Sequence, residues 1–128
     1  MTAELTLLVW TLALAFVQMV VAVLGSIGQV GLPTLAGNRE PVPDVTGWAG
    51  RAARAHRNML ESLPLFIALV LVAQVAGRAS AATLLGCQLF FWGRLVYAVV
   101  YIAGVPWVRT LVWSVSVLGL VLIFQQVL

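Results

Sequence analysis

Arg54, Arg57, Asn58 and Glu61 stand at i, i+3, i+4 and i+7, a spacing that puts all four on one stripe of a helix. Such a stripe can grip an anion, because each guanidinium offers a planar fork of donors matched to carboxylate or phosphate. It belongs to a run from Arg51 to Glu61 that holds three arginines, a histidine, an asparagine and a glutamate in eleven residues and then enters an apolar segment. Farther along, Arg94, Tyr97 and Tyr101 fall at i, i+3 and i+7, and Arg109 is followed by Thr110. Arg57, Arg94 and Arg109 at membrane depth face one acid, Glu61. Glu61 can pair with Arg57 or with Arg94, which leaves at least one guanidinium without a carboxylate. Buried charges need partners, so the surplus calls for an anionic ligand, one bearing carboxylates. Asn58 adds a donor and an acceptor, and the two tyrosines add hydroxyl donors. The competing reading is a structural ion-pair network that holds the helices together; spacing alone leaves both open.

Other chemistries lack their residues. There is no HExxH, CxxC, Walker loop or GxSxG pattern. His56 has no second histidine or cysteine at ligand spacing, so no metal site is expected. On a helix it is offset about 100° from Arg57, and a solvated or packing role fits it better than catalysis. Cys87 is the single cysteine and lies in an apolar run, which fits packing better than a reactive thiol. All seven cations are arginine, but no basic face or aromatic platform supports nucleic-acid binding.

What must position these residues is a membrane scaffold. Of the 128 residues 62% are hydrophobic and 9% charged, against about 45–50% and about 25% in soluble domains. A helix crosses the hydrocarbon with roughly 20 apolar residues. The first such span is Leu5 to Val30. The residues before it carry no positive side chain and the apolar run is too long for a cleaved signal peptide. Gln18, Gly25 and Gln29 share one side of it, expected to face protein, with Gly25 and Gly28 permitting close helix approach. From Gly31 to Gly50 the prolines and glycines predict a polar loop, carrying Asn38, Arg39, Glu40 and Asp44. The second span, Arg51 to Ala76, holds Pro64, where a kink is expected. After a turn at Gly77, Arg78 and Ser80, the third span runs from Ala81 to Ala103 and the fourth from Pro106 to Val127.

The reading is an all-α protein, a four-helix transmembrane bundle in a single domain over residues 1–128. Arg39, Arg51, Arg54, Arg57 and Arg109 lie toward one side and only Arg78 toward the other. The positive-inside rule then places both termini outside the cytoplasm, in the inner membrane if the source is bacterial.

The run Arg54-Ala55-His56-Arg57-Asn58-Met59-Leu60-Glu61, followed by Pro64 and Phe66, resembles the second-helix motif of the MAPEG family, the membrane-associated proteins in eicosanoid and glutathione metabolism. The likeness extends to Gly93-Arg94-Leu95-Val96-Tyr97 and Tyr101, which match a Gly-Arg-x-x-[His/Tyr]-x-x-x-Tyr pattern. It extends to Arg109-Thr110, similar to an Arg-Ser pair, and to Gly28-Gln29-Val30 at the end of the first helix. The resemblance implies a homotrimer that binds glutathione between neighbouring subunits near the cytoplasmic side. It implies that Arg57, Asn58 and Glu61 hold glutathione, joined by Arg54 and Gln29, while Arg94, Tyr97 and Tyr101 line the pocket. Arg109 and Thr110, with Tyr101, would sit near the thiol and activate it. The implied activity is a glutathione transferase or peroxidase acting on an apolar small molecule or a lipid hydroperoxide. The family's prostaglandin synthases carry an arginine where Gly31 stands, a histidine at the place of Tyr97, and a basic stretch where Pro33 and Thr34 stand. These departures point away from prostaglandin chemistry, and Arg39 or Arg51 would have to replace the missing arginine. The alternative is a non-catalytic membrane protein that holds an anionic lipid or a partner in an arginine-lined pocket.

Overall fold

The computed structural model describes residues 1–37 and 44–128. Asn38, Arg39 and Glu40, read as part of the polar loop, lie outside the described residues. Five helices follow in order: α1 Ala3–Val30, α2 Leu32–Ala36, α3 Gly47–Val75, α4 Ala81–Ala103 and α5 Pro106–Val127. The described residues contain no strand. The four long helices are each long and apolar enough to cross a membrane. Their outward faces carry Phe16, Leu24, Leu65, Leu118 and other large apolar side chains, a surface suited to lipid rather than water.

The loop expected over residues 31–50 is shorter than its composition implies. Pro33 lies in the first turn of α2, where its missing N–H costs nothing. Gly47 opens α3 rather than breaking it; its φ of 62° suits glycine at the point where the chain turns into the helix. α3 then runs through Pro64 as one continuous helix.

α3 and α4 form the centre, each touching the other and both outer helices, while α1 and α5 do not meet. Met59, Leu63, Phe66 and Val70 make the buried stripe of α3 and pack with Leu8 and Ala15 of α1, Cys87 and Phe90 of α4 and Ile123 of α5. Phe66 and Phe90 stack at 4.2 Å between centroids. No hydrophobic force acts between helices already in lipid, so close approach through small residues carries the packing. α4 and α5 meet backbone to backbone: a Cβ at Gly119 would fall 2.5 Å from the Gly86 carbonyl oxygen and 2.9 Å from the Phe90 nitrogen. α1 meets α3 where a Cβ at Gly25 would fall 2.7 Å from the Ala49 Cβ. Gly28, expected to share that role, has nothing within 4 Å. Ala49 is only two residues into α3, so one turn past Gly25 there is no helix left to meet.

The helix ends sort into two polar layers. At one end Thr2 donates to Gln74 at 3.1 Å, Thr83 to the Glu4 carboxylate at 3.2 Å, and Ser80 to Gln126 at 3.5 Å. This joins the starts of α1 and α4 to the ends of α3 and α5, as an up-and-down bundle requires. At the other end Gly104 closes α4 in the left-handed conformation, φ 85° and ψ 26°. Arg51 Nε donates to the Ile102 carbonyl there at 2.9 Å, so this arginine caps a helix. Trp48 and Trp107 are exposed at the same end, where indoles favour the membrane interface.

Gly119→Val should cost about 1–3 kcal/mol, the usual range for overpacking, because backbone atoms cannot yield. Cys87 is free and buried, so the midpoint temperature at which it reacts with a thiol-specific fluorophore measures the loss.

Candidate functional site

The polar stripe of α3 faces α4 and the start of α5. Arg54, Arg57, Asn58, Glu61, Tyr97, Tyr101 and Arg109 line one cavity of about 350 Å³. A second, of about 170 Å³, is lined by Asn58, Tyr97, Arg109, Thr110 and Trp113. Asn58, Tyr97 and Arg109 form the wall common to both. The three helices thus bring together eight of the residues singled out in the sequence.

Why they converge follows from helix geometry. On α3 the core stripe of Met59, Leu63 and Phe66 turns inward, and the polar stripe lies beside it, offset by one residue. On α4, Arg94 and Tyr97 are buried together with Gly93 and Ala98. Gly93 lets α5 in: a Cβ there would fall 3.1 Å from the Ser116 Cβ and backbone nitrogen. That contact holds the first two turns of α5, with Arg109 and Thr110, against the Tyr97–Tyr101 face.

Arg94 is only 1% exposed and is not part of either lining. Its Nη1 donates to Asn58 Oδ1 at 2.9 Å, and its Cζ lies 4.3 Å from the centroid of the Tyr97 ring. Its Nε and Nη2 have no partner among the described residues. Tyr97 and Tyr101 lie 5.5 Å apart, and Arg109 Cζ sits 4.6 Å from the Tyr101 ring. Two arginines therefore bracket two tyrosines, each cation against a π face. The sequence marks the tyrosines as hydroxyl donors; their ring faces also engage cations.

Glu61 differs from its expected arrangement. No ion pair joins it to Arg57 or Arg94 among the described residues; Arg94 turns to Asn58 instead. The cavity thus presents three guanidinium groups and one carboxylate, all lining it and none of them in an ion pair among the described residues. Arg54, Arg57 and Glu61 are exposed, so the cavity is open on the α3 side.

Gln29 stands apart from the cavity. Its Nε2 donates to the Thr46 carbonyl at 2.6 Å and its Oε1 accepts from the Thr46 N–H at 2.9 Å, which clasps the end of α1 to the entry of α3. His56 is half-buried against an apolar cavity between α1 and α2, away from the arginine cavity. No cluster of metal-ligating side chains occurs among the described residues. Trp113 is the lining residue that no motif announces, although its place one turn after Arg109 and Thr110 puts it on their face.

The MAPEG family model matches residues 6–128. No curated protein and no solved structure shows a significant match.

Asn58→Ala removes the acceptor of a buried guanidinium and should cost about 1.5–3 kcal/mol, read as an earlier Cys87 labelling transition. Asn58→Asp keeps an acceptor at the same place and should recover most of that loss.

Proposed function

The chain belongs to the MAPEG family, and from that membership and its arginine cavity we propose that it is a membrane-bound glutathione-dependent transferase or peroxidase. The observation that carries the reading is the surplus of positive charge in the lining: three guanidinium groups and one carboxylate line one cavity at the end of a membrane bundle. Glutathione is the complementary shape of charge, with two carboxylates, one ammonium and a thiol. In this reading glutathione is a substrate. Arg54 and Arg57 take its carboxylates, Glu61 takes its ammonium, and Asn58, braced by Arg94, orients the peptide.

The smaller cavity beside Arg109, Thr110 and Trp113 receives the sulfur. A free thiol ionises near pH ~8.5, and a neighbouring cation lowers that value. Arg109 supplies the cation; the Thr110 or Tyr101 hydroxyl donates a hydrogen bond to the sulfur. The thiolate attacks an apolar electrophile from the membrane or reduces a lipid hydroperoxide. Trp113, 42% exposed, offers an apolar wall where that second substrate would meet the sulfur.

The open α3 side of the cavity fits a homotrimer in which the next subunit closes it. With the arginine-rich end in the cytoplasm, the cavity draws on the cytosolic thiol pool and both termini face outward. The family also includes chemistry on eicosanoids, but Gly31 and Tyr97 stand where the prostaglandin synthases carry arginine and histidine, so general conjugation or peroxide reduction is the better reading.

Purified protein incubated with glutathione and chlorodinitrobenzene or cumene hydroperoxide should turn over. Arg57→Ala and Glu61→Ala should abolish glutathione binding by calorimetry. Arg109→Ala should retain binding and lose about 10²–10³-fold in turnover, as removal of one charge-stabilising donor does elsewhere. No turnover with any acceptor together with no glutathione binding overturns the reading. An anionic lipid retained by the arginines without thiol dependence would replace it with the non-catalytic alternative.

A further inference from the structure

A separate cavity, of about 790 Å³, lies between α1 and α4 at the end of the bundle away from the arginines. It is more than twice the volume of the arginine cavity and within the range of about 300–1,000 Å³ typical of small-molecule sites. Leu7 and Trp10 of α1 line it with Leu84, Gln88, Phe91 and Trp92 of α4. Most of this lining is apolar, and four side chains carry a polar tip: Trp10, Gln88, Trp92 and Thr6, whose hydroxyl donates to the Thr2 carbonyl at 2.9 Å.

Gln88 is the anomaly. It is exposed and makes no hydrogen bond among the described residues. Seven residues into α4, it lies about 10 Å below the helix start, and a bilayer centred on this 23-residue helix would put it inside the hydrocarbon. An amide facing lipid tails there has neither water nor protein to bond, a cost of several kcal/mol for an unsatisfied polar group. Trp92 deepens the problem. It is 56% exposed and sits at the middle of the 23-residue α4, whereas outward-facing indoles favour the membrane interfaces. Trp10 is 59% exposed on the opposite wall. An acyl chain alone would leave the Gln88 amide and both indole N–H groups unpaired. The occupant must therefore bring acceptors as well as hydrocarbon.

We propose that the α1–α4 groove is a glycerolipid site, in which one bilayer lipid lays an acyl chain along Leu7, Leu84 and Phe91 and accepts a hydrogen bond from the Gln88 amide through an ester carbonyl. The geometry suits it. Helical side chains tilt toward the helix N-terminus, so Gln88 reaches back toward the interface, where the ester carbonyls of a bilayer lie. The groove opens beside Met1 and Ala3 at the start of α1, next to the exposed Thr2, where a headgroup can sit. Trp10, seven residues into α1 and so level with Gln88, offers its N–H to the second ester, while the ring of Trp92, at the middle of α4, packs against the acyl chain. This site is separate from the arginine cavity, belongs to the opposite leaflet, and does not depend on the thiol reading.

Native mass spectrometry of protein released from mild detergent should show a glycerolipid retained at a fixed ratio to subunit. Gln88→Leu, a change on an exposed position that leaves the fold in place, should lower the retained fraction about fivefold, the worth of one hydrogen bond of about 1 kcal/mol. Leu84→Trp, which fills the groove, should remove the lipid altogether. Neither variant should change glutathione affinity. Equal retention by wild type and Gln88→Leu overturns the proposal. In a Cys87→Ala background, Gln88→Cys carrying a benzophenone label should crosslink to lipid on illumination. A crosslink to a second subunit in place of lipid would mean that another copy of the chain fills the groove, and would equally overturn it.

Discussion

A guanidinium in hydrocarbon must be partnered or drained of its charge, and Arg94 is where this chain meets that constraint. It is buried between α3 and α4, bonded to Asn58 and laid against Tyr97. A carboxylate in the place of Asn58 would neutralise it and close the local charge balance. Asn58 instead satisfies one donor and leaves the positive charge standing behind the cavity wall. The result is a positive potential behind Asn58 and Tyr97, which then act as a neutral screen through which a low-dielectric interior transmits that potential. The polar cavity therefore owes part of its electrostatic character to a residue that does not line it.

That arrangement also explains why the polar residues do not collapse on one another. Glu61 has candidate partners on its own helix and on α4, yet none is paired with it among the described residues. The Tyr97 and Tyr101 rings occupy the space between Arg94 and Arg109 and hold the cations at fixed separation. Aromatic faces stabilise a cation without neutralising it. A pocket meant to receive an anion benefits from exactly this kind of support, since a direct ion pair would compete with the guest. The backbone contacts of Gly86, Gly93 and Gly119 set the α4–α5 distance, and so set how far Arg109 stands from the tyrosines.

Much of this was legible in the chain. Four spans, their order and their approximate ends follow from hydrophobic length alone, and the stripes at 54, 57, 58, 61 and at 94, 97, 101 follow from helical period. Over residues 31–50 composition marks proline and glycine as breakers, whereas Pro33 and Gly47 sit at helix starts, where a breaker becomes a starter. Gly28 and Gly25 are equivalent in the sequence, which does not say where the neighbouring helix begins. Partner choice was the least legible: Arg94 to Asn58 rather than Glu61, Arg51 to a carbonyl, Gln29 to a backbone amide. Each depends on distances between helices, which no intrahelical spacing contains. Trp113 shares its face with Arg109, but a tryptophan in an apolar helix carries no signal against the background of lipid-facing indoles.

The clasp between Gln29 and Thr46 has a bearing on how this chain could vary. Two hydrogen bonds fasten the end of α1 to the residue before α3, so the register of those helices is fixed independently of the segment that joins them. Closing a longer tether between two anchored points costs little, about 0.6 kcal/mol for each doubling of its length. Additions or deletions between the anchors would leave the arginine-bearing turns of α3 where they stand. The connection is thus a place where relatives can diverge in length, acquiring or losing surface features at the membrane face, without disturbing the interior.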